Sequence, residues 1–474
     1  MNELPLPPRA GPVIDAGGRV VEPDSAWAAL PDHQRPRRTP DADGLELVLV
    51  DDTELASFDL RSPAQPGGWD PYARLADMNR EGIDQVVLYP TVGLSLPVVE
   101  DATVAVALAR AYNDWLARYC AADPYRLFGS TLLPLQDPEA AVTELCRAVG
   151  ELGFVGGFVR PLPCLGRSLS DPAYEPLWQL AEELDVAIGV DEGRWVSVPA
   201  LDAERLRIPQ RLRGPSPGFE NMGACAQLIA GGIFERHPGL RVVFLASSGS
   251  WAPFWLEHLD AHVELLGPFS SELTLLPSGY FARQCSIAFD VAEDTLPVLA
   301  PFVRSEGIVW GSDNSGNDAT PPSTVEDIRA TVAPSPTATQ ARLLGLNARH
   351  LYRLPRRDPG VGGLIADYFA AVTAHDAELL GRLFAPDAVF DVDGEIRRGR
   401  AEILDYYRHR TFTFEDFRPT PGPLEIDGNH VTVAIDVHLG GADTSVRDVF
   451  EIDSAGAIAS LEVRGFAQSL SAAR

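Results

Sequence analysis

Several polar residues stand where strand-like apolar runs end. Asp15, Arg19 and Glu22 follow the first run, and Tyr89 and Thr91 close VVLY. Arg160 closes GFVR, and Asp191 and Glu192 follow VAIGV. Ser247 and Ser248 follow RVVFL, Asp290 follows SIAF, and Asp313 and Asn314 follow IVWGS. The group is rich in carboxylates, holds two arginines and no histidine. Such a set suits acid/base chemistry on an anionic or carbonyl substrate: a guanidinium holds a carboxylate by a bidentate fork and a carboxylate moves the proton. Arg194 opens a stretch that continues with Arg205, Arg207, Arg211 and Arg213. It could recruit an anion, or simply be a solvated loop balancing an acidic chain.

Composition removes other chemistries. The 474 residues contain no lysine, so neither a Schiff base nor a carboxylated lysine bridging two metals can form. The net charge of −28 disfavours nucleic acid and anionic membranes. No apolar run of membrane-spanning length occurs, and the N-terminal residues lack the features of a signal peptide; the expectation is a cytoplasmic protein. Cys120, Cys146, Cys164, Cys225 and Cys285 are scattered, with no C-x-x-C pair, so neither a disulfide framework nor a thiolate zinc site is indicated.

The elements that must position these residues alternate. Strands are expected at Val13–Asp15, Gln85–Pro90, Arg126–Leu132, Val155–Arg160, Val186–Asp191, Arg241–Ala246, Ser286–Asp290 and Ile308–Asp313, with amphipathic helices between them. Continuous apolar runs mark parallel strands buried on both faces. Eight of them predict an α/β fold, a (β/α)8 TIM barrel over residues 1–355, with a doubly wound sheet as the competing arrangement. Residues 24–62 and Arg194–Phe219 read as long loops at the catalytic end. Residues 356–362 read as a linker, and 363–474 as a small α+β domain: two helices, a strand, a helix and a closing antiparallel meander. In that domain Val431, Val433, Ile435, Val437 and Leu439 alternate with polar residues, which points Asp436 and His438 away from the helix-covered face.

Phrases such as PGGWDPYARLADMNREGIDQVVLYPT, GGIFERHPGLRVVFL, IVWGSDN and LLGLNARHLYRL resemble the amidohydrolase-related family of the aminocarboxymuconate-semialdehyde decarboxylase type. That resemblance implies one divalent metal, usually zinc or manganese, held by residues ending strands 1, 5 and 8. The sequence departs from the pattern there. The two strand-1 ligand positions fall on Gly17 and Arg19, the strand-5 histidine on Asp191, and a strand-6 catalytic position on Ala246; only Asp313 is kept. One retained ligand is too few for zinc. The expectation is therefore no cofactor, with Arg19 in the cation's place and Asp191 and Asp313 as a carboxyl pair. The bland alternative is that Arg19 pairs with Asp313 to fill an emptied site. The fallback is one Mn or Mg on Asp191, Asp313 and Glu22. Arg160, Tyr89, Glu22, Asn314 and Arg194 are the expected substrate contacts.

YFAAVTAHDAELLGRLFAPDAVFDVDG, RGRAEILDYY and a closing RGF resemble the SnoaL-like fold, whose members place an acid/base residue inside an apolar cone. Asp391 is the positional candidate, its rival reading being a strand-end turn carboxylate. The whole reads as an enzyme performing cyclisation, decarboxylation or hydrolysis on a small carbonyl-rich or polyketide-type molecule, and as a homodimer. The alternatives are a metal-dependent hydrolase or decarboxylase, and a non-catalytic ligand-binding scaffold.

Overall fold

The computed structural model describes residues 11–40, 45–50, 53–59, 65–191, 216–267, 273–291, 293–296, 303–312, 324–356, 360–414, 417–439, 442–453 and 455–465. Its contacts divide the chain into two compact units. One holds Val13–Val332 with Asn347–Leu354; the other holds the C-terminal sheet and takes in Ala333–Leu346.

In the first unit, β1 (Ile14–Arg19) precedes a separate three-stranded antiparallel sheet, β2 (Arg37–Pro40), β3 (Leu45–Val50) and β4 (Thr53–Asp59). The remaining barrel strands are β5 (Gln85–Tyr89), β6 (Leu127–Leu132), β7 (Gly156–Val159), β8 (Ala187–Val190), β9 (Arg241–Phe244), β10 (Cys285–Asp290) and β11 (Ile308–Gly311). They hydrogen-bond in parallel in the order β1-β5-β6-β7-β8-β9-β10-β11. All eight expected strands are present, with helices between them as in a (β/α)8 barrel. They form where the sequence offers consecutive apolar residues, and β5 to β8 are buried along their whole length. Aspartates start the helices: Asp70, Asp101 and Asp137 each accept a backbone N–H from the first turn of Pro71–Glu81, Ala102–Cys120 and Pro138–Gly150.

Asp15 ties the first strand to the last. Its carboxylate accepts the Ser312 N–H at 3.0 Å and the Ser312 hydroxyl at 2.5 Å. The backbones approach so closely there that a Cβ on Gly17 would sit 3.3 Å from the Gly311 Cα. The expected 24–62 loop is instead partly sheet. Arg38 of β2 anchors it by donating to the Glu22 carbonyl at 2.6 Å and pairing with Glu46 of β3 at 2.9 Å.

The second unit carries helices Val361–Thr373, Ala377–Leu383 and Arg400–His409, so the expected linker already contributes the first helical residues. Its six strands are β12 (Phe384–Val392), β13 (Glu395–Arg398), β14 (Arg418–Asp427), β15 (His430–Leu439), β16 (Ala442–Ile452) and β17 (Ile458–Arg464), in the order β13-β12-β17-β16-β15-β14. Only β12 and β17 pair in parallel. The helices cover the row Val431, Val433, Ile435 and Val437, as the alternation requires. β14 holds Pro419, Pro421 and Pro423 and lies at the sheet edge, where a missing N–H costs little.

Candidate functional sites

Arg19 is the last residue of β1, and Asp191 follows β8. Their side chains meet at the C-terminal end of the barrel, with Arg19 Nη2 2.6 Å from Asp191 Oδ2 and both groups buried. Arg19 also donates to the Pro90 carbonyl at 3.2 Å, and its own carbonyl accepts from Arg74. The cation expected at the strand-1 ligand position is thus held by the carboxylate expected at the strand-5 position. Asp313, expected as its alternative partner, lies outside the described residues, as do Asn314, Glu192 and Arg194.

Glu22 is fully buried, but backbone amides occupy it. Oε2 accepts from Val92 at 2.9 Å and Thr91 at 3.3 Å, and Oε1 accepts from Gly93 at 2.9 Å. The carboxylate caps the 3-10 helix Val92–Val98, so the expected substrate contact becomes a framework anchor. A Cβ on Gly93 would stand 2.9 Å from Leu132 Cδ2 and from Pro90 Cβ, and 3.2 Å from Oε1, which explains glycine there. Burial pushes the Glu22 pKa up, and the amide hydrogen bonds pull it back. Glu22→Gln turns an amide NH2 toward backbone donors, and a loss of about 1–3 kcal/mol in urea unfolding is expected. An unchanged midpoint would mean the capping contributes nothing.

Arg160, 2 % exposed, donates to the Leu94 carbonyl at 3.0 Å. The Tyr89 and Tyr352 hydroxyls lie 2.8 Å apart, and Tyr352 donates to the Ala16 carbonyl. Burial raises the Tyr89 pKa and the neighbouring Asp191 charge adds to it, so Tyr89 stays a neutral hydroxyl at physiological pH. Burial likewise raises the Asp15 pKa against the Ser312 hydrogen bonds. Arg74 offsets part of the rise at Asp15, and Arg19 part of the rise at Tyr89.

In the small unit, Asp391 does not enter the cone. Phe390 and Val392 line the cavity, so Asp391, between them, faces the other way, and its Oδ1 accepts the Gly394 N–H at 2.7 Å. The alternation of β12 and the turn that follows overturn that candidate. The cavity's acid is Asp448. It falls in phase with Val446 and Phe450 on β16, is 3 % exposed, and its Oδ1 has no hydrogen-bond partner. Burial raises its pKa to about 8. The signal was the period of two: VRDVF places Asp448 on the apolar row.

Among the described residues no group of three or more His, Cys, Asp or Glu side chains could hold a metal ion. No described helix is long and apolar enough to cross a membrane.

Residues 24–354 match the amidohydrolase family profile, and residues 365–461 match the SnoaL-like domain. The γ-resorcylate decarboxylase of Rhodococcus jostii is 36 % identical over 258 residues, covering 51 % of this chain and 75 % of that protein. A solved amidohydrolase from Mycobacterium avium subsp. paratuberculosis superposes with a TM-score of 0.61 at 20 % identity, covering 72 % of this chain and 99 % of its own. A dihydroxybenzoic acid decarboxylase from Polaromonas, solved with bound manganese and the inhibitor 2-nitroresorcinol, gives 0.53 at 20 % identity, covering 73 % and 97 %. At those identities the two structures show the fold.

Proposed function

The chain belongs to the amidohydrolase family, and from that membership we propose that its barrel is a decarboxylase of small aromatic acids in which Arg19, not a resident metal, supplies the positive charge. The curated relative above is named a decarboxylase, which supports lyase chemistry. The observation that carries the rest is the buried Arg19–Asp191 pair at 2.6 Å.

The manganese seen in the Polaromonas relative raises the question of a metal here. The described residues do not fit one. Asp191 is held by Arg19 and Glu22 is held by three amides, so two of the three oxygen donors of the fallback reading are already engaged. A guanidinium would also repel a divalent ion at that point.

In the proposed reaction, Arg19 binds the substrate carboxylate or an adjacent ring oxygen, and Asp191 fixes the guanidinium. The bond from ring carbon to carboxylate breaks, its electron pair stays on the ring carbon, and that carbon takes a proton as CO2 leaves. Asp313, two residues beyond the end of β11 in the sequence, is the proposed proton carrier, with Tyr89 and Arg160 as proposed substrate contacts.

The test supplies 2,6-dihydroxybenzoate to the full chain and follows CO2 and resorcinol. The expected turnover is the same with EDTA as with added Mn2+, and falls about 100-fold or more in Arg19→Met. Turnover that requires Mn2+ would sink the metal-free reading. No turnover, with binding retained, would favour the ligand-binding scaffold, a reading that the mutual engagement of Arg19 and Asp191 also suits.

A further inference from the structure

The barrel mouth carries a carboxylate to which the proposed reaction gives no role. Asp290 is the last residue of β10 and is half-buried. Its direction follows from the register. Phe244 of β9 packs outward, stacked on Phe281 of the helix Pro277–Gln284 and edge-on to Trp251, at 6.0 and 5.6 Å between centroids. Ile287 of β10 pairs with Phe244, so Ile287 and Phe289 share that outer face. Ala288 and Asp290 then face the barrel interior. Leu245, one step out of phase with Phe244, is interior too: its methyl carbons lie 3.9 and 3.1 Å from where a Cβ on Gly17 of β1 and on Gly189 of β8 would stand. Beyond Leu245, Ala246 and Ser248 adopt φ values of +50° and +57°. Left-handed backbone at two residues that are not glycine breaks the strand alternation, and Ser248 Oγ donates to Asp290 Oδ2 at 2.9 Å. The neighbouring Glu293 serves the backbone instead, accepting the Gly249 and Ser250 amides at 3.0 and 2.8 Å. β10 stands at the middle of the arc β8-β9-β10-β11-β1, which the Asp15–Ser312 hydrogen bonds close. The Arg19–Asp191 pair is the chord of that arc. Tyr89 and Arg160, at the ends of β5 and β7, lie on the other side of the chord.

We propose that Asp290 is a specificity-determining residue, whose carboxylate accepts a hydrogen bond from a hydroxyl at the meta or para position of the aromatic acid that Arg19 holds. This rests on the barrel reading above and adds a requirement on its substrate. An ionised carboxylate only accepts, at about four lone-pair positions, so the Ser248 bond orients Asp290 without exhausting it. It attracts an O–H and repels an anionic oxygen. A guest with an acid at one end and a hydroxyl at the other therefore enters in one orientation, acid toward Arg19 and hydroxyl toward Asp290. The hydroxyl must stand away from the acid for two reasons. An ortho hydroxyl spends its proton on its own carboxylate, and it would bring that carboxylate toward Asp290. A ring with no hydroxyl presents a bare apolar edge to a half-buried charge, which loses hydration for nothing in return.

The test compares 3- and 4-hydroxybenzoate with 3- and 4-fluorobenzoate, which keep the acid and the ring but cannot donate. Fluorine NMR on the full chain at pH 7 observes the fluoro acids directly, with the hydroxy acids as competitors. Expected is a preference of about tenfold or more for one hydroxy acid over its fluoro counterpart. Asp290→Ala should weaken that hydroxy acid about tenfold or more and leave the fluoro acid as tight as before or tighter, because a like charge has gone. Asp290→Asn, whose amide oxygen still accepts, should keep part of the preference, and Ser248→Ala should reduce it. A purely structural role would weaken both acids alike. Equal weakening of both in Asp290→Ala and Asp290→Asn, or a preference that survives Asp290→Ala, would overturn the proposal and leave the decarboxylase reading standing. An Asp290-dependent preference without release of CO2 from any of the acids, 2,6-dihydroxybenzoate included, would do the reverse. A wild type that binds none of the four acids would overturn the proposal.

Discussion

Replacing Arg19 with methionine should lower the stability of the barrel by about 3–5 kcal/mol, because the change leaves a buried carboxylate without its cation. Asp191 is fully buried and has the Arg19 guanidinium at 2.6 Å, so solvent cannot take over the role. The double variant Arg19→Met/Asp191→Leu should regain most of that loss, since an apolar pair of similar volume often matches or exceeds a buried ion pair. Tryptophan fluorescence reads this cleanly: all eight tryptophans lie at or before residue 310, in the barrel segment. Stability and activity then part company. If the pair only fills the space of lost ligands, the double variant is as stable and as active as the wild type. If Arg19 carries the charge of the reaction, the double variant folds and is inactive. A single variant cannot make this distinction, because an unfolding barrel loses activity for either reason.

The sequence places Arg19, Asp191 and Asp313 at strand ends, but only the barrel's curvature decides which ends face each other. β1 and β8 are not neighbours in the sheet, and their side chains meet across its mouth. The partner of Arg19 was therefore not legible in the sequence. The strands themselves were legible because burial on both faces demands unbroken apolar runs, and VVLY and VAIGV supply them. Where one face meets solvent, the message weakens. LELVLV and TELASFD read as loop although they pair as β3 and β4. β14 carries three prolines, which a central strand would not tolerate and its edge position does. Glu22 looks like a site residue from its type and place; only the amides of Thr91, Val92 and Gly93 show that its charge is spent within the framework. The two small-domain aspartates turn on phase alone. Asp391 is one residue out of step with the cavity wall, and Asp448 is in step with it.

That phase carries a second large effect. Asp448→Leu should stabilise the small unit, most strongly at high pH. The sign follows from the proton. The Asp448 pKa is raised from 3.8 to about 8 in the fold, so between those values the native state binds one proton more than the unfolded chain. Stability therefore falls as pH rises through that window and levels off above it. Each tenfold gain in proton affinity on folding corresponds to about 1.4 kcal/mol, which puts the whole effect on the order of several kcal/mol. Leucine of similar size removes both the slope and the penalty. Asp15 and Glu22, whose pKa values burial also raises, add slopes of the same sign, but both belong to the barrel unit and are common to the two proteins. The difference in melting temperature between variant and wild type, followed by circular dichroism at pH 5, 7 and 9, should thus grow with pH. A constant difference would mean that Asp448 is ionised throughout; a variant less stable at every pH would mean that the carboxyl has a partner within the fold. A widening gap would show a neutral acid kept in an apolar cavity at a cost to stability.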